Sequence, residues 1–367
     1  MKPAPLNPKR LQVFPVSQRE SLSSVEKILV QPGTPPPPLP LAVARSVAEC
    51  ATRIKAARAR GAGVLLIYGA HLLRNGAALM LGDMMERKLV THLATNGAGT
   101  IHDWEYAWLG RSLEGVEKNV AQGTFGTWDE TSRNIHLALL AGGLKGEGYG
   151  TALGRFIWED GTTLPHPDEL AESLRTDPTH PLAPARADLL QTMHEHRIAG
   201  GRIEVQHRWK HASILAQAFR HDVGLTVHPG IGYDIISNHP MFNGAVIGRA
   251  ATLDFYRIGG AIDTLDNGVV LSIGSATMGP QVFEKSLSCV HNIRKQEGRE
   301  NLQGHTIYVV DLQDGGNWDW SRGEPQKNHP AYYLRFCKSF SRMGGEMRYL
   351  QCDNLAFLHN LYHLLRA

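Results

Sequence analysis

From residue 41 onward, short apolar runs alternate with segments that have the spacing of amphipathic helices. The run 64–68 (VLLIY) is continuously apolar, which is typical of a strand covered on both faces. A helix rich in Ala and Arg is predicted before it at 42–60, and a helix at 72–88 and a strand at 90–94 are predicted after it. Further strands are predicted at 225–227, 269–273 and 305–310, with helices such as 188–195 and 213–220 between them. This alternation predicts an α/β fold with a doubly wound, mostly parallel Rossmann-like sheet and helices on both faces.

Residues 1–40 follow a different pattern. Four prolines interrupt the first fifteen residues, and residues 35–38 form a polyproline-type spacer. One short helix or strand is predicted within this segment, at 24–30. We therefore predict a proline-rich N-terminal arm at 1–40 and a single nucleotide-binding α/β domain at 41–367, with the less regular stretch 123–210 as an elaboration of that domain.

Composition excludes several classes of protein. The 367 residues are 42% hydrophobic and 20% charged, which is typical of a globular chain with a sizeable core. A net charge of +3, without a run of five Lys or Arg, argues against a nucleic-acid partner. Four cysteines without a CxxC pair indicate a reduced, intracellular protein. Because no apolar leader or membrane-length apolar stretch is present, we expect a cytoplasmic protein with no membrane partner.

Three predicted strand ends carry residues suited to a nucleotide. In an open parallel sheet, ligands bind beyond the carboxyl ends of the strands. The strand at 90–94 is followed by Thr95, Asn96, Gly97, Ala98 and Gly99. The strand at 269–273 is followed by a glycine-bearing turn at 274–279 that begins with Gly274 and Ser275, and the strand at 305–310 by an acidic loop at 311–316 with Asp311 and Asp314. The glycines let backbone N–H groups approach phosphate or ribose, so these residues are candidate cofactor ligands.

Lys338 lies in an apolar, aromatic stretch, close to Tyr332, Tyr333 and Phe336. Partial desolvation in such a setting favours the uncharged amine, which is a nucleophile toward carbonyls and imines. The alternative is that the aliphatic stem packs on the aromatic rings and the charge reaches water. Lys338 is therefore a candidate catalytic residue.

Other chemistries have weaker signals. Close histidine spacings could hold zinc, but the nearby acids form no HExxH arrangement, and 18 histidines give such spacings by chance. The histidines concerned are His194, His196, His207 and His211. A serine hydrolase is disfavoured because no GxSxG elbow occurs. The glycine-rich run 142–150 lacks the GK[ST] of a P-loop and is predicted to be a flexible loop.

The chain resembles the deoxyhypusine synthase family, in a divergent, bacterial-type branch, over much of residues 60–340. The runs 67–76 and 94–103, which include His102, match the family's strand–turn–helix segments and its Thr-Thr-Ala-Gly-Gly type turn. The turn at 274–279 stands at the family's glycine triplet, and the loop at 311–316 at its acidic Asp-Gly loop. Lys338 follows Pro330 by eight residues, the spacing of the family's catalytic lysine.

This resemblance implies an NAD-dependent aminobutyl transferase that acts on a polyamine such as spermidine through an imine on Lys338. It also implies a homotetramer with sites at a dimer interface, into which the N-terminal arm could reach. His102 joins the strand-end residues as a candidate NAD ligand. The candidate substrate ligands are Asp234, Glu284, Asp314, Asp319 and Phe336.

The sequence departs from the family where the polyamine binds. Residues 279–284 (GPQVFE) replace the family's His-His…Asn pattern and end in Glu284, and Phe336 replaces the tryptophan before the lysine. The acceptor amine is therefore open. Two alternatives are an NAD-dependent enzyme that acts on a different amine, and a non-catalytic, nucleotide-binding oligomeric scaffold.

Overall fold

A six-stranded parallel sheet forms the centre of the computed structural model, which describes residues 2–366. The strands in chain order are β1 (Ser23–Ser24), β2 (Val64–Tyr68), β3 (His92–Asn96), β4 (Arg111–Ser112), β5 (Gly161–Leu164), β6 (Gly201–Glu204), β7 (Gly224–His228), β8 (Val269–Ile273), β9 (Thr306–Asp311) and β10 (Glu346–Gln351). The α-helices are α1 (Val25–Ile28), α2 (Leu41–Ala59), α3 (Ala70–Arg74), α4 (Ala78–Glu86), α5 (Gly97–Leu109), α6 (Val116–Gln122), α7 (Asp129–Gly143), α8 (Tyr149–Trp158), α9 (Pro167–Thr176), α10 (Ala183–His196), α11 (Ile214–Arg220), α12 (Gly244–Ile262), α13 (Met278–Gln296), α14 (Arg335–Ser341) and α15 (Asn354–Arg366).

The strand order in the main sheet is β10-β9-β8-β2-β3-β7, and every pairing is parallel. The chain first builds outward from β2 through β3 to β7, then returns to the other edge of β2 with β8 and continues to β10. This is the 3-2-1-4-5-6 order of dinucleotide-binding sheets. The predicted doubly wound α/β fold is therefore confirmed.

Alternate residues of β2 point to opposite faces of the sheet, as strand geometry requires. Val64, Leu66 and Tyr68 belong to the larger apolar core, whereas Leu65 and Ile67 belong to the smaller one. Helices α2, α4 and α15 pack in the larger core, and α13 and α14 in the smaller. A strand buried on both faces has no solvent side, which explains its continuous apolar sequence.

The predicted helix 72–88 is divided in two, α3 and α4. Gly76 lies between them at φ +93°, a conformation that interrupts a helix and is open to glycine. A Cβ on Gly76 would lie 1.8 Å from the carbonyl oxygen of Ile28, so the arm packs directly on this break. The run 142–150, predicted to be a flexible loop, forms the end of α7 and the start of α8 on either side of a short connection.

Two strand predictions differ from the structure. The strand predicted at 90–94 runs from His92 to Asn96, so the predicted turn Gly97–Gly99 is the first turn of α5. The sixth strand, β10, was not predicted, because its polar sequence EMRYLQ is that of a half-exposed edge strand.

The N-terminal arm lies along its own chain. Ser23 and Ser24 pair antiparallel with β4, and Phe14 forms an isolated bridge with Trp128. Farther along, the ring of His359 in α15 is 2.8 Å from the carbonyl oxygen of Thr34. Within residues 2–366, no helix has the length and apolar character needed to cross a bilayer.

Candidate functional site

The two halves of the sheet meet at the carboxyl ends of β2 and β8, where the backbones touch. The Gly69 N–H donates a hydrogen bond to the Ile273 carbonyl at 3.1 Å. A Cβ on Gly69 would lie 2.1 Å from the carbonyl oxygen of Gly274, which itself has φ +61°. Only glycine permits this approach at both positions. Doubly wound sheets bind their ligands at such a switch point.

The end of β3 is held by its own polar side chains. The Thr95 hydroxyl donates to the Tyr68 carbonyl at 3.1 Å, and the Asn96 side chain accepts from the Gly99 N–H at 3.0 Å, capping α5. The first turn of α5, predicted to face a cofactor, is covered by a protein carboxylate. A Cβ on Gly97 would lie 2.0 Å from Oδ2 of Asp234. The positive end of the helix dipole favours a negative group at this place.

The ends of β8 and β9 lie at the same edge. The buried Ser275 hydroxyl accepts a hydrogen bond from the Gly279 N–H at 3.0 Å. Asp311 ends β9 and accepts from Gln313, and Asp314 accepts from the Gly316 N–H, so both carboxylates also shape their own loop. Next to Gly274, the buried Oδ1 of Asn354 has no hydrogen-bond partner within residues 2–366.

A cavity of about 300 Å³ opens between the segments that follow β2, β3 and β7. Three of the predicted site residues, Ala98, His102 and Asp234, line it. The arm and the end of α3 add charged residues that sequence reasoning missed. The further charged residues of the wall are Arg19, Arg74, Glu105 and Glu114. The structure therefore brings the predicted α5 residues and Asp234 into one site.

A buried hydrogen-bond chain runs along one side of this cavity. Arg19 of the arm forms a bidentate ion pair with Glu105, with N–O distances of 2.7 and 2.9 Å. Glu105 also accepts from the Ser112 hydroxyl and, at 2.9 Å, from Thr131. Ser112 Oγ is 2.8 Å from Nδ1 of His102. Because the Ser112 hydroxyl proton goes to Glu105, the oxygen accepts from His102, which places the imidazole proton on Nδ1.

The imidazole of His102 is therefore a neutral acceptor at its other nitrogen, Nε2. Burial lowers the pKa of His102 to about 4, and the positive charge of Arg74 acts in the same direction. Burial raises the pKa of the Asp234 carboxyl, against a backbone hydrogen bond from Gly230 that lowers it. The Gly230 N–H is bound at 2.7 Å to Oδ2, so Oδ1 of Asp234 is uncommitted among residues 2–366.

Lys338 lies against an aromatic ring and beside a carboxylate. Its ammonium lies 3.7 Å from the centre of the Tyr332 ring and 3.6 Å from Oε2 of Glu324. Both contacts are attractive for an ammonium group. Its helix, α14, packs with Phe336 and Phe340 in the smaller core, and Lys338 does not line the cavity.

The remaining predicted substrate residues also lie outside the cavity. Glu284 is half exposed on α13 and pairs with Lys285 at 2.9 Å. Asp319 is exposed and caps a short 3₁₀ turn by accepting from the Ser321 N–H at 3.0 Å. Phe336 is buried beside Tyr349, with ring centres 6.2 Å apart. The structure does not gather these side chains into one pocket with Asp234.

No family model matches the chain, and no curated protein does. Among solved structures, it is similar to apo ArgZ, an arginine dihydrolase from the ornithine–ammonia cycle in cyanobacteria, at 13% identity and TM-score 0.40, covering 88% of this chain and 32% of ArgZ. It is similar to AgrE in its ternary complex with ornithine and NAD⁺ at 14% identity and TM-score 0.43, covering 90% of this chain and 34% of AgrE. A putative LOR/SDH protein from Methanococcus maripaludis S2 matches at 12% identity and TM-score 0.42, covering 93% of this chain and 72% of that protein. The chain spans about a third of ArgZ and AgrE.

These neighbours correct the family assignment. They are ArgZ, AgrE and an LOR/SDH protein rather than deoxyhypusine synthases, so the predicted membership of that family was wrong. The aminobutyl transferase activity and the spermidine substrate that followed from it were wrong as well. The cofactor predicted from the sequence, NAD, is the one bound in the AgrE complex.

One of the cavity residues that were not predicted, Glu105, has a recognisable signal in the sequence. Glu105 stands between Trp104 and Tyr106 in a largely apolar helix, which is the kind of setting that singled out Lys338. A carboxylate buried there requires a partner, but the sequence does not show that Arg19 supplies it from 86 residues away. Neither does it show that Arg74, at the end of α3, lines the same cavity.

Proposed function

We propose that this chain is an NAD-dependent enzyme that acts on a small amine. The proposal rests on the position of the cavity that Asp234 lines. It opens beside α3, the helix that follows β2, and β2 is the strand at which the sheet order reverses. A dinucleotide at the switch point and an amine in the cavity are neighbours in this arrangement.

The residues at the sheet edge fit a dinucleotide. Gly69 and Gly274 keep the strand ends free of side chains, and Asn354, whose Oδ1 has no partner within residues 2–366, lies beside Gly274. Asn96, Ser275 and Asp311 provide polar groups near the ends of β3, β8 and β9, which lie on the two sides of β2. When bound, NAD accepts or returns a hydride.

The cavity residues then have separate tasks. Asp234 Oδ1 receives the ammonium of the substrate, in a position where the carboxylate has little competition from water. His102 has its proton on Nδ1 and offers Nε2 as a hydrogen-bond acceptor for a substrate N–H, with Ser112 and Glu105 fixing the tautomer. Arg19 and Leu22 of the arm form part of the cavity wall.

The test compares the wild type with Asp234→Asn and with Asp168→Asn, a control on the exposed face of α9. NAD binding is measured by calorimetry, and NAD reduction with a panel of small amines is followed by absorbance. We expect Asp234→Asn to keep NAD affinity and to lose about tenfold to a hundredfold in amine affinity, the value of a charge-assisted hydrogen bond. An Asp234→Asn variant that matches Asp168→Asn would contradict the proposal.

The homotetramer, the cytoplasmic location and the division at residue 40 remain predictions. Mass photometry of the full chain tests the first of them.

A further inference from the structure

Arg74 is the cation of the cavity that has no counter-ion. It ends α3, and no acceptor within residues 2–366 lies at hydrogen-bond or ion-pair distance from its guanidinium. Its positive charge acts to lower the pKa of two α5 residues, His102 and Tyr106. An arginine that lines a cavity without a partner has its full set of planar donors available for a ligand.

The other charges of the cavity are already satisfied. Arg19 and Glu105 neutralise each other as a bidentate pair. Glu114 accepts from the Trp128 indole N–H at 2.9 Å, from the Gly126 N–H at 3.3 Å and from Asn119. The charged groups left for a ligand are therefore the Arg74 guanidinium and the Asp234 carboxylate, through its Oδ1.

A substrate with an ammonium alone would leave Arg74 facing a like charge. A substrate with both an ammonium and a carboxylate satisfies both groups, because a carboxylate matches the two parallel N–H donors of arginine. The cavity of about 300 Å³ lies at the small end of ligand pockets, and its apolar residues can cover a short carbon chain. The apolar residues are Leu22, Ile101, Leu113, Val116, Phe125 and Ile235.

We infer that Arg74 is the specificity-determining residue of the site and selects amino acids over the corresponding simple amines by binding their carboxylate. This inference rests on the proposed function and adds the class of substrate to it. Arg74 and Asp234 then hold the two charged ends of one molecule, and His102 lies between the elements that carry them.

The experiment uses two matched pairs of ligands that differ by one carboxylate: L-ornithine against putrescine, and L-lysine against cadaverine. Each is titrated by calorimetry into the full chain saturated with NAD. The proteins are the wild type, Arg74→Gln, Arg74→Lys and the surface control Arg60→Gln. NAD affinity is measured separately for each protein.

We expect the wild type and Arg60→Gln to bind the amino acid of at least one pair about tenfold to a hundredfold more tightly than its amine. Arg74→Gln should abolish this preference without weakening the amine, and Arg74→Lys, which keeps the charge but not the planar fork, should retain part of it. Equal binding of both members by the wild type, or a preference that survives in Arg74→Gln, overturns the inference while the proposed function stands. If none of the four ligands binds although NAD does, both the inference and the amine part of the proposed function fail.

Discussion

Replacement of Glu105 by Gln should destabilise the fold strongly, because it leaves the guanidinium of Arg19 buried without a counter-charge. The two side chains are only 1% and 2% exposed, and their N–O distances are 2.7 and 2.9 Å. Breaking a buried ion pair by removing one partner costs about 3–5 kcal/mol. We expect a loss of this size in the free energy of unfolding for Glu105→Gln, and a similar loss for Arg19→Met.

The double variant, R19M/E105Q, should lose less than the sum of the two single variants, by about 0.5–3 kcal/mol, because it has no unpaired charge. Denaturant unfolding followed by tryptophan fluorescence measures all four proteins. Glu117→Gln, an exposed carboxylate on α6, is the control and should change stability by less than about 0.5 kcal/mol. A coupling energy near zero, or a Glu105→Gln variant as stable as the control, would show that the arm does not dock on its own chain, which refutes the reasoning.

Three further predictions concern the switch point and pH. Gly69→Ala should weaken NAD binding roughly tenfold to a hundredfold, because the new Cβ would lie 2.1 Å from the Gly274 carbonyl oxygen and push two strand ends apart. Calorimetry tests this, with Gly259→Ala as the control, since a Cβ at Gly259 meets open space. The free energy of unfolding should fall as pH drops from about 6.5 to about 4, because burial lowers the folded-state pKa of five histidines to about 3 or 4 and the unfolded chain takes up protons first. These residues are His92, His102, His136, His207 and His228. Burial raises the pKa of two aspartates, Asp103 and Asp254, to about 7, so their protonation stabilises the fold as pH falls, by less than the histidines destabilise it. Denaturant unfolding that shows greater stability at pH 4 than at pH 6.5 would contradict the expectation. Amine affinity should fall as pH decreases, because only the ionised carboxylate of Asp234 holds an ammonium. Burial raises the pKa of Asp234, so the midpoint of this loss should lie at a higher pH than the usual aspartate pKa of about 3.9. Calorimetry across pH should show no such loss for Asp234→Asn.

Much of the fold could be predicted because the central strands carry their own signal. A continuous apolar run such as β2 has one stable environment, between two layers of helices, and its bounds were predicted to the residue. Strand β10 carried no such signal, since at the edge of the sheet it is only half covered. The break at Gly76 depends on the backbone of Ile28, a contact between distant segments that local propensity does not contain.

The candidate site was harder to predict because its chemistry depends on which charges find partners. Lys338 and Glu105 look alike in sequence, since each is a charged residue with aromatic residues close by. In the structure, Lys338 meets Glu324 and the Tyr332 ring, whereas Glu105 is buried by Arg19 and two hydroxyls. The strand-end residues could be placed at one edge by topology alone. The sequence did not predict the partner residues that decide whether a charged side chain is paired within the protein or free to bind a ligand.

The strand order also has a consequence during synthesis. The partner of β2 on one side, β3, follows within about thirty residues, but β8, on the other side, follows about two hundred residues later. At ~5–20 residues per second, one edge of a wholly apolar strand lacks its native neighbour on the ribosome for roughly 10–40 s. Such an edge is a template for wrong pairing, so the nascent chain is most exposed to aggregation in this interval. The crevice at Gly69 and Gly274 is completed by that late pairing, and a chain cut before residue 269 has no such crevice.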